Sequence, residues 1–303
     1  MASPRAKAYA LLLIATAIWG VAGPVIKYTV GYLPPFIFLL YRFGIAAIIG
    51  LFLLIKFSKN HWPTKTSDAI WIVIYCFLTS TVSLGLLFLG YEQTTALDGS
   101  IINALYPIMV STVGVAFLHE HVTNREKLGM GIATLGTLAV IFEPGASLTG
   151  NLYILASLLV GVILAVMAKL LLRHLKNFDF VLTQLSFIVG FITIIPIVMF
   201  RYSIFDIRYL LQNAPLSAHF GVVYMALISG TLAYGLWHRA QKTIETGETA
   251  VFSYLYPIFT LPLSIFWLHE QVSFVFVLGA LTTAVGVIIA ETKKRSHLPV
   301  RRR

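Results

Sequence analysis

Charge is scarce in this chain of 303 residues, of which only 11% are Asp, Glu, Lys or Arg. A soluble domain carries about 25%, and a soluble fold of this size cannot cover its surface with less than half of that. Cysteine is nearly absent. Cys76 is the single one and lies in an apolar run, which excludes an intrachain disulfide and a cysteine-based metal site. The 12 acids are scattered over different loops, so no cluster suited to hydrolytic chemistry forms in the sequence. There is no G-x-x-x-x-G-K-[ST] phosphate loop, and His119-Glu120-His121 lacks the spacing of H-E-x-x-H. The expectation is a protein that is not an enzyme and needs no metal or cofactor.

Apolar residues fill the space that charge leaves. They make up 58% of the chain, and the mean hydropathy is +0.86. Apolar runs fall at about 8–29, 36–57, 69–90, 97–118, 127–143, 150–172, 180–200, 217–238, 248–268 and 273–291. Each is near the roughly 20 residues that a helix needs to cross hydrocarbon. They are continuous rather than alternating, which favours helices over a β-barrel. The expected class is an all-α integral membrane protein of ten spans, with the lipid bilayer as its solvent. The connections are short. The longest, 57–68 and 201–216, do not read as folded extramembrane domains.

The net charge of +10 would suggest nucleic acid in a soluble chain. Here the bases flank apolar runs, so they read as topology signals and nucleic acid is not an expected partner. With the N-terminus in the cytoplasm, seventeen of the 22 Lys and Arg fall on the inner side, while Arg201 and Arg208 fall outside. That asymmetry places both termini inside, as expected in a bacterial inner membrane. The tail 293–303, with Lys293-Lys294-Arg295 and Arg301-Arg302-Arg303, reads as a basic cytoplasmic anchor.

The chain also repeats itself. Leu105-Tyr106-Pro107-Ile108 returns as Leu255-Tyr256-Pro257-Ile258, and Leu118-His119-Glu120 returns as Leu268-His269-Glu270. Gly129 and Gly136 return as Gly279 and Gly286, and Gly85-Leu86 as Gly235-Leu236, all at an offset of 150 residues. Five spans separate the copies, and five is odd, so the second copy enters the membrane upside down. Two halves are expected, 1–146 and 147–292, with a substrate site between them near the midplane.

Together, Trp19-Gly20, Tyr41-Arg42-Phe43, the two Tyr-Pro-Ile elements and the two Leu-His-Glu elements, each followed by a Gly-x6-Gly helix, resemble the drug/metabolite transporter superfamily in its ten-helix EamA-like branch. The resemblance implies two five-helix repeats around a central cavity lined by spans 1, 3, 4, 6, 8 and 9. It also implies a small-molecule substrate drawn from amino acids, nucleosides, nucleotide-linked sugars or drugs. The second half departs from the pattern: Val162-Ile163-Leu164 stands where span 6 would carry Trp-Gly, and span 7 has no counterpart of Arg42.

On this frame the candidate cavity wall is Trp19, Ser80, Ser83, Tyr91, Asn103, Tyr106, Lys169, Tyr234, Trp237, His238, Ser253, Tyr254 and Tyr256. Aromatic walls with a few polar groups suit a small amphipathic solute, while a polyphosphate would need several inward cations. Pro107 and Pro257 free the carbonyls of Asn103 and Ser253 and are read as matched hinges. Arg42 is expected to snorkel to headgroups, and Lys27 likewise. Glu120 and Glu270 are expected to cap the helix that follows each. The repeated glycines are read as close helix contacts between spans 5 and 10 or between subunits of a homodimer. Trp62, Trp71, Tyr153 and Trp267 read as interfacial anchors. The favoured function is secondary transport of a small metabolite such as an amino acid, as an exporter. A lipid flippase or a non-transporting subunit of the same fold is the alternative.

The charge pattern predicts sidedness. In a Cys76→Ser background, Arg208→Cys reacts with an impermeant maleimide from outside intact cells, and Arg125→Cys reacts only after permeabilisation. Equal labelling of both would sink the assignment.

Overall fold

The computed structural model describes residues 4–57, 65–118, 123–174, 178–241, 243 and 251–291. Every regular element among them is helical. The first half runs α1 (Pro4–Val30), α2 (Pro35–Phe57), α3 (Thr66–Phe77), a π-helical stretch (Leu78–Ser83), α4 (Leu84–Gln93), α5 (Ala96–Asn103), α6 (Tyr106–Leu118) and α7 (Asn124–Ile141). The second runs α8 (Leu148–His174), α9 (Asp179–Arg201), α10 (Ile204–Asn213), α11 (Leu216–Val223), a π-helical stretch (Tyr224–Leu232) and α12 (Ala233–Gln241). A 3-10 turn (Val251–Leu255), α13 (Tyr256–Phe266) and α14 (Phe274–Glu291) complete it.

Six of these segments are long and apolar enough to cross a membrane, among them Pro4–Val30, Thr66–Gln93 and Leu216–Trp237. Three shorter apolar helices, Ala96–Val110, Val251–Phe266 and Phe274–Ala290, join them. The outward surface agrees: Ile48, Phe52, Phe200, Phe266 and Ile288 are all exposed, which water would penalise and lipid does not. The molecule is an integral membrane protein.

The two prolines of the repeated Tyr-Pro-Ile elements lie at matching breaks. The chain leaves the helix after Asn103, and α6 begins at Tyr106 with Pro107 in its first turn; α13 begins at Tyr256 with Pro257 in the same place. The first turn is where a missing N–H does no harm. The π-helical stretches are also matched, in α3–α4 and α11–α12, and wide turns of this kind have no sequence signature that composition reveals.

The repeated glycines lie between α7 and α14. A Cβ on Gly136 would come within 2.6 Å of the Gly279 carbonyl oxygen, and one on Gly129 within 2.6 Å of the Gly286 carbonyl oxygen. Gly129, early in α7, faces Gly286, late in α14, so the helices run antiparallel. Their backbones touch, and Thr137 and Thr283 share a hydrogen bond of 3.3 Å across the seam. The glycine stripe is thus spent within one chain and supplies no contact for a second copy. The same antiparallel sense joins α2 to α9, where Gly44 meets Phe191 and Gly50 meets Gln184. Between these pairs, α1 packs against α12 and α13, and α8 packs against α4 and α5.

The 201–216 connection holds a helix that the hydropathy pattern does not suggest. Ser203 Oγ accepts from the Asp206 amide at 3.2 Å, and the Asp206 carboxylate accepts from the Ser203 amide at 2.9 Å. This reciprocal box starts α10, and its hydrogen bonds hold the Asp206 carboxyl below the usual carboxylate range. The helix rests Ile207, Leu210 and Leu211 on the main core and exposes Phe205 and Tyr209. The 201–216 connection thus carries a surface helix rather than a plain loop.

The α7–α14 seam should be intolerant. Gly286→Val drives a side chain into the Ala133 backbone and should lower stability by about 1–3 kcal/mol, seen as a lower melting temperature in detergent. Gly131→Ala, where a Cβ meets nothing within 4 Å, should be neutral or slightly stabilising. Equal melting of both variants would disprove the seam.

Candidate functional site

Pro24 interrupts the hydrogen bonding of α1. A proline has no N–H for the carbonyl four residues earlier, which here is Gly20. Thr260 Oγ1 of α13 donates to that carbonyl at 2.7 Å, in a buried contact. Gly20 makes this possible, since a Cβ there would lie 2.7 Å from the Phe259 Cβ and 3.1 Å from the Tyr256 carbonyl oxygen. The neighbouring Trp19 turns the other way. Its indole N–H donates to the Ser229 carbonyl at 3.0 Å, inside the second π-helical stretch. The Tyr224 hydroxyl donates to the Ile18 carbonyl at 2.6 Å. The Trp-Gly pair therefore clamps α1 to both helices of the other half that it touches.

The Trp19 ring meets Tyr234 edge-on at 5.0 Å and tilts against Trp237 at 5.1 Å. From there the aromatic groups converge. The Tyr234 phenol lies within electrostatic range of Tyr75, Tyr106 and Tyr256, and of the Arg42 guanidinium. Tyr256 interacts with Ser253, and Tyr91 with Asn103. Asn103 Nδ2 also donates to the Gly99 carbonyl at 2.8 Å, bracing the end of α5. Residues from α1, α3, α5, α6, α12 and α13 thus form an aromatic interior with hydroxyl and amide groups. It can hold a small solute by stacking and hydrogen bonding.

The expected wall is partly rearranged. Trp19, Tyr91, Asn103, Tyr106, Tyr234, Trp237, Ser253 and Tyr256 stand in or beside this cluster, and Tyr254 packs on the main core. Ser80 instead donates to the Ser186 carbonyl on α9. Ser83 bonds the Ser157 hydroxyl on α8 at 3.2 Å. Both hydroxyls are therefore taken up in holding helices together. Lys169 and His238 belong to α8 and α12, but their side chains lie outside the described residues. Tyr75 joins the cluster without standing out in the sequence, where nothing separates it from the aromatics that face lipid.

Arg42 does not snorkel. It is 2% exposed, and its guanidinium carbon lies 5.7 Å from the centres of the Phe43 and Phe88 rings. The reason is the rotation of α2, which turns position 42 toward α4 and the second π-helical stretch instead of toward lipid. Desolvated cation–π contacts contribute about 2 kcal/mol each, while burying an ion costs several. The rings offset only part of that cost. The sequence signal is present but ambiguous: Arg42 is the lone charge in the interior of an apolar run.

Glu270 also departs from expectation. Its carboxylate accepts from the Ala96 amide at 2.7 Å and the Leu97 amide at 3.1 Å, capping α5 in the first half rather than α14. The first turn of α14 is closed by Ser273, whose hydroxyl accepts from the Phe276 amide at 2.8 Å. His269, with φ at 55°, makes the sharp turn that sends Glu270 across. Burial pushes the Glu270 carboxyl above the ordinary glutamate range, and the two amides pull the other way. Lys27 lies at the same end, donating to the Glu92 carbonyl at 3.3 Å. Beside it, Tyr28 stacks on Trp267 at 4.9 Å and bonds Ser217 at 2.7 Å. Trp267 is therefore part of a contact between segments as well as an interfacial residue. Glu120 and Trp62 lie outside the described residues.

Apolar helices thus surround an aromatic, hydrogen-bonding interior in an integral membrane protein. The chain belongs to the EamA-like transporter family, which matches it twice, over residues 6–142 and 148–292. It is similar to the "Uncharacterized transporter YetK" of Bacillus subtilis, 26% identical and covering 95% of this chain and 88% of that one. The "Uncharacterized transporter YyaM" of the same organism is 25% identical over 93% and 92% of the two chains. An "Uncharacterized transporter" of Archaeoglobus fulgidus is 24% identical over 96% and 99%. A solved crystal structure shares the fold with a TM-score of 0.64, at 15% identity, over 95% of this chain and 98% of its own.

The cap across the halves can be tested by melting the protein in detergent. Glu270→Ala strands two amides and should lower stability by about 1–2 kcal/mol. Glu270→Gln, which keeps one acceptor, should lose less. If Glu270→Ala melts like wild type, the cap contributes nothing.

Proposed function

We propose that the protein is a secondary transporter of ten spans that exports a small metabolite such as an amino acid by alternating access. Its two inverted five-helix repeats, 1–146 and 147–292, are followed by a basic cytoplasmic tail at 293–303. It resides in a bacterial plasma membrane with both termini in the cytoplasm. The observation that carries this reading is the pair of matched helix breaks at Pro107 and Pro257 beside the Tyr234 cluster. A span interrupted at a binding site can rebend there, and two equivalent interruptions let either half move. The reciprocal antiparallel contact of Gly129 with Gly286 and of Gly136 with Gly279 supports inversion, since a two-fold axis between the helices exchanges equivalent residues of the repeats. The aromatic interior supports a small amphipathic cargo.

Uptake and efflux in proteoliposomes, with labelled amino acids, nucleosides and sugars, test the reading. Saturable flux of one class is expected. Trp19→Ala, which removes the indole bond and two ring contacts, and Asn103→Ala should each lower flux by about tenfold or more while the protein inserts normally. Unchanged flux in both variants would remove the Tyr234 cluster from the transport path.

A further inference from the structure

Arg42 is a buried cation with no answering anion among the described residues. It is the eighth residue of α2, roughly 10 Å along the helix from Pro35, too deep for a lipid headgroup to meet a side chain that points into the bundle. Its Nε and Nη1 atoms are buried and have no hydrogen-bond partner among the described residues. A guanidinium has one N–H on Nε and two on Nη1, and aromatic faces satisfy its charge but not these donors. Tyr234 is the titratable group whose field reaches it. Gly230, in the second π-helical stretch, lies against the guanidinium: a Cβ there would be 3.8 Å from Nη2, with the Phe187 ring at 3.3 Å and the Met225 carbonyl oxygen at 3.1 Å closing that side. The buried acid nearest in kind, Asp98, is occupied elsewhere, accepting from Thr94 at 3.1 Å and Asn151 at 3.3 Å.

A lone positive charge kept unpaired in a dry interior, against the stability of the resting protein, is an arrangement that a ligand completes. We propose that Arg42 is the anchor for the carboxylate of the cargo, which is a small organic monoacid with an apolar or aromatic body. One cation matches one negative charge. Arginine offers a carboxylate two parallel donors, and the body of the acid lies against Trp19, Tyr106, Tyr234 and Tyr256. This deepens the transport reading and rests on it only in calling the acid cargo; binding is independent of flux.

Thermal melting of the purified protein in detergent tests binding directly. The probes are benzoate, L-phenylalanine, L-leucine and 4-methyl-2-oxopentanoate, each with its amide, which lacks the carboxylate. At least one acid should raise the melting temperature while its amide does not. Arg42→Met, close in volume and uncharged, should melt higher than wild type without ligand and lose the acid response. A residue held only for its ring contacts would instead melt lower on this change. Arg42→Lys keeps the charge and loses the paired donors, so its affinity for the acid should fall about tenfold or more; it carries the test if Arg42→Met does not assemble. No shift with any acid, equal shifts with acid and amide, or a wild-type response in Arg42→Lys overturns the proposal. Liposome flux separates the two readings. Acid-specific binding without flux of any solute removes the transport reading and leaves the anchor. Flux of an uncharged solute that Arg42→Met leaves unchanged removes the anchor and leaves transport.

Discussion

Inside a bilayer no water replaces a missing backbone hydrogen bond, and that constraint shapes most of what is specific here. Pro24 deprives Gly20 of its partner in α1, and Thr260 of another helix supplies the replacement. The indole of Trp19 finds a carbonyl in a π-helical stretch, where the backbone has already departed from regular α-geometry. Each local irregularity becomes a cross-link between the two halves of the chain, because only another helix can resolve it.

Packing then divides into rigid and adaptable contacts. The α7–α14 seam is backbone against backbone, with glycine on both sides, a contact with little freedom to slide. The interior around Tyr234 consists of rings and hydroxyls, which can exchange one set of contacts for another at modest cost. The glycine seam is thus the stiffer contact of this chain and the aromatic cluster the more adaptable one.

Part of the site is legible in the order of residues alone. Trp19, Tyr106, Tyr234 and Tyr256 can be picked out because they lie in expected cavity-lining spans, and two of them sit in a repeated motif. The glycine seam is legible because small residues seven apart fall on one face. Ser80 and Ser83 mislead: a serine in an apolar span reads the same whether it faces a cavity or bonds a neighbouring carbonyl. Tyr75 is invisible among other aromatics.

The sequence by itself determined the solvent, the helical class and the 150-residue repeat, because hydropathy, continuity and self-similarity are properties of the chain read in order. Only the tertiary structure decided which way Arg42 points and what Glu270 holds. A span that is apolar nearly all round carries no face in its sequence, so rotation about its axis is set by neighbours. The carboxylate of Glu270 lies 173 and 174 residues from the amides it caps. Nothing local records such a partner, since the pairing exists only once the two halves are side by side.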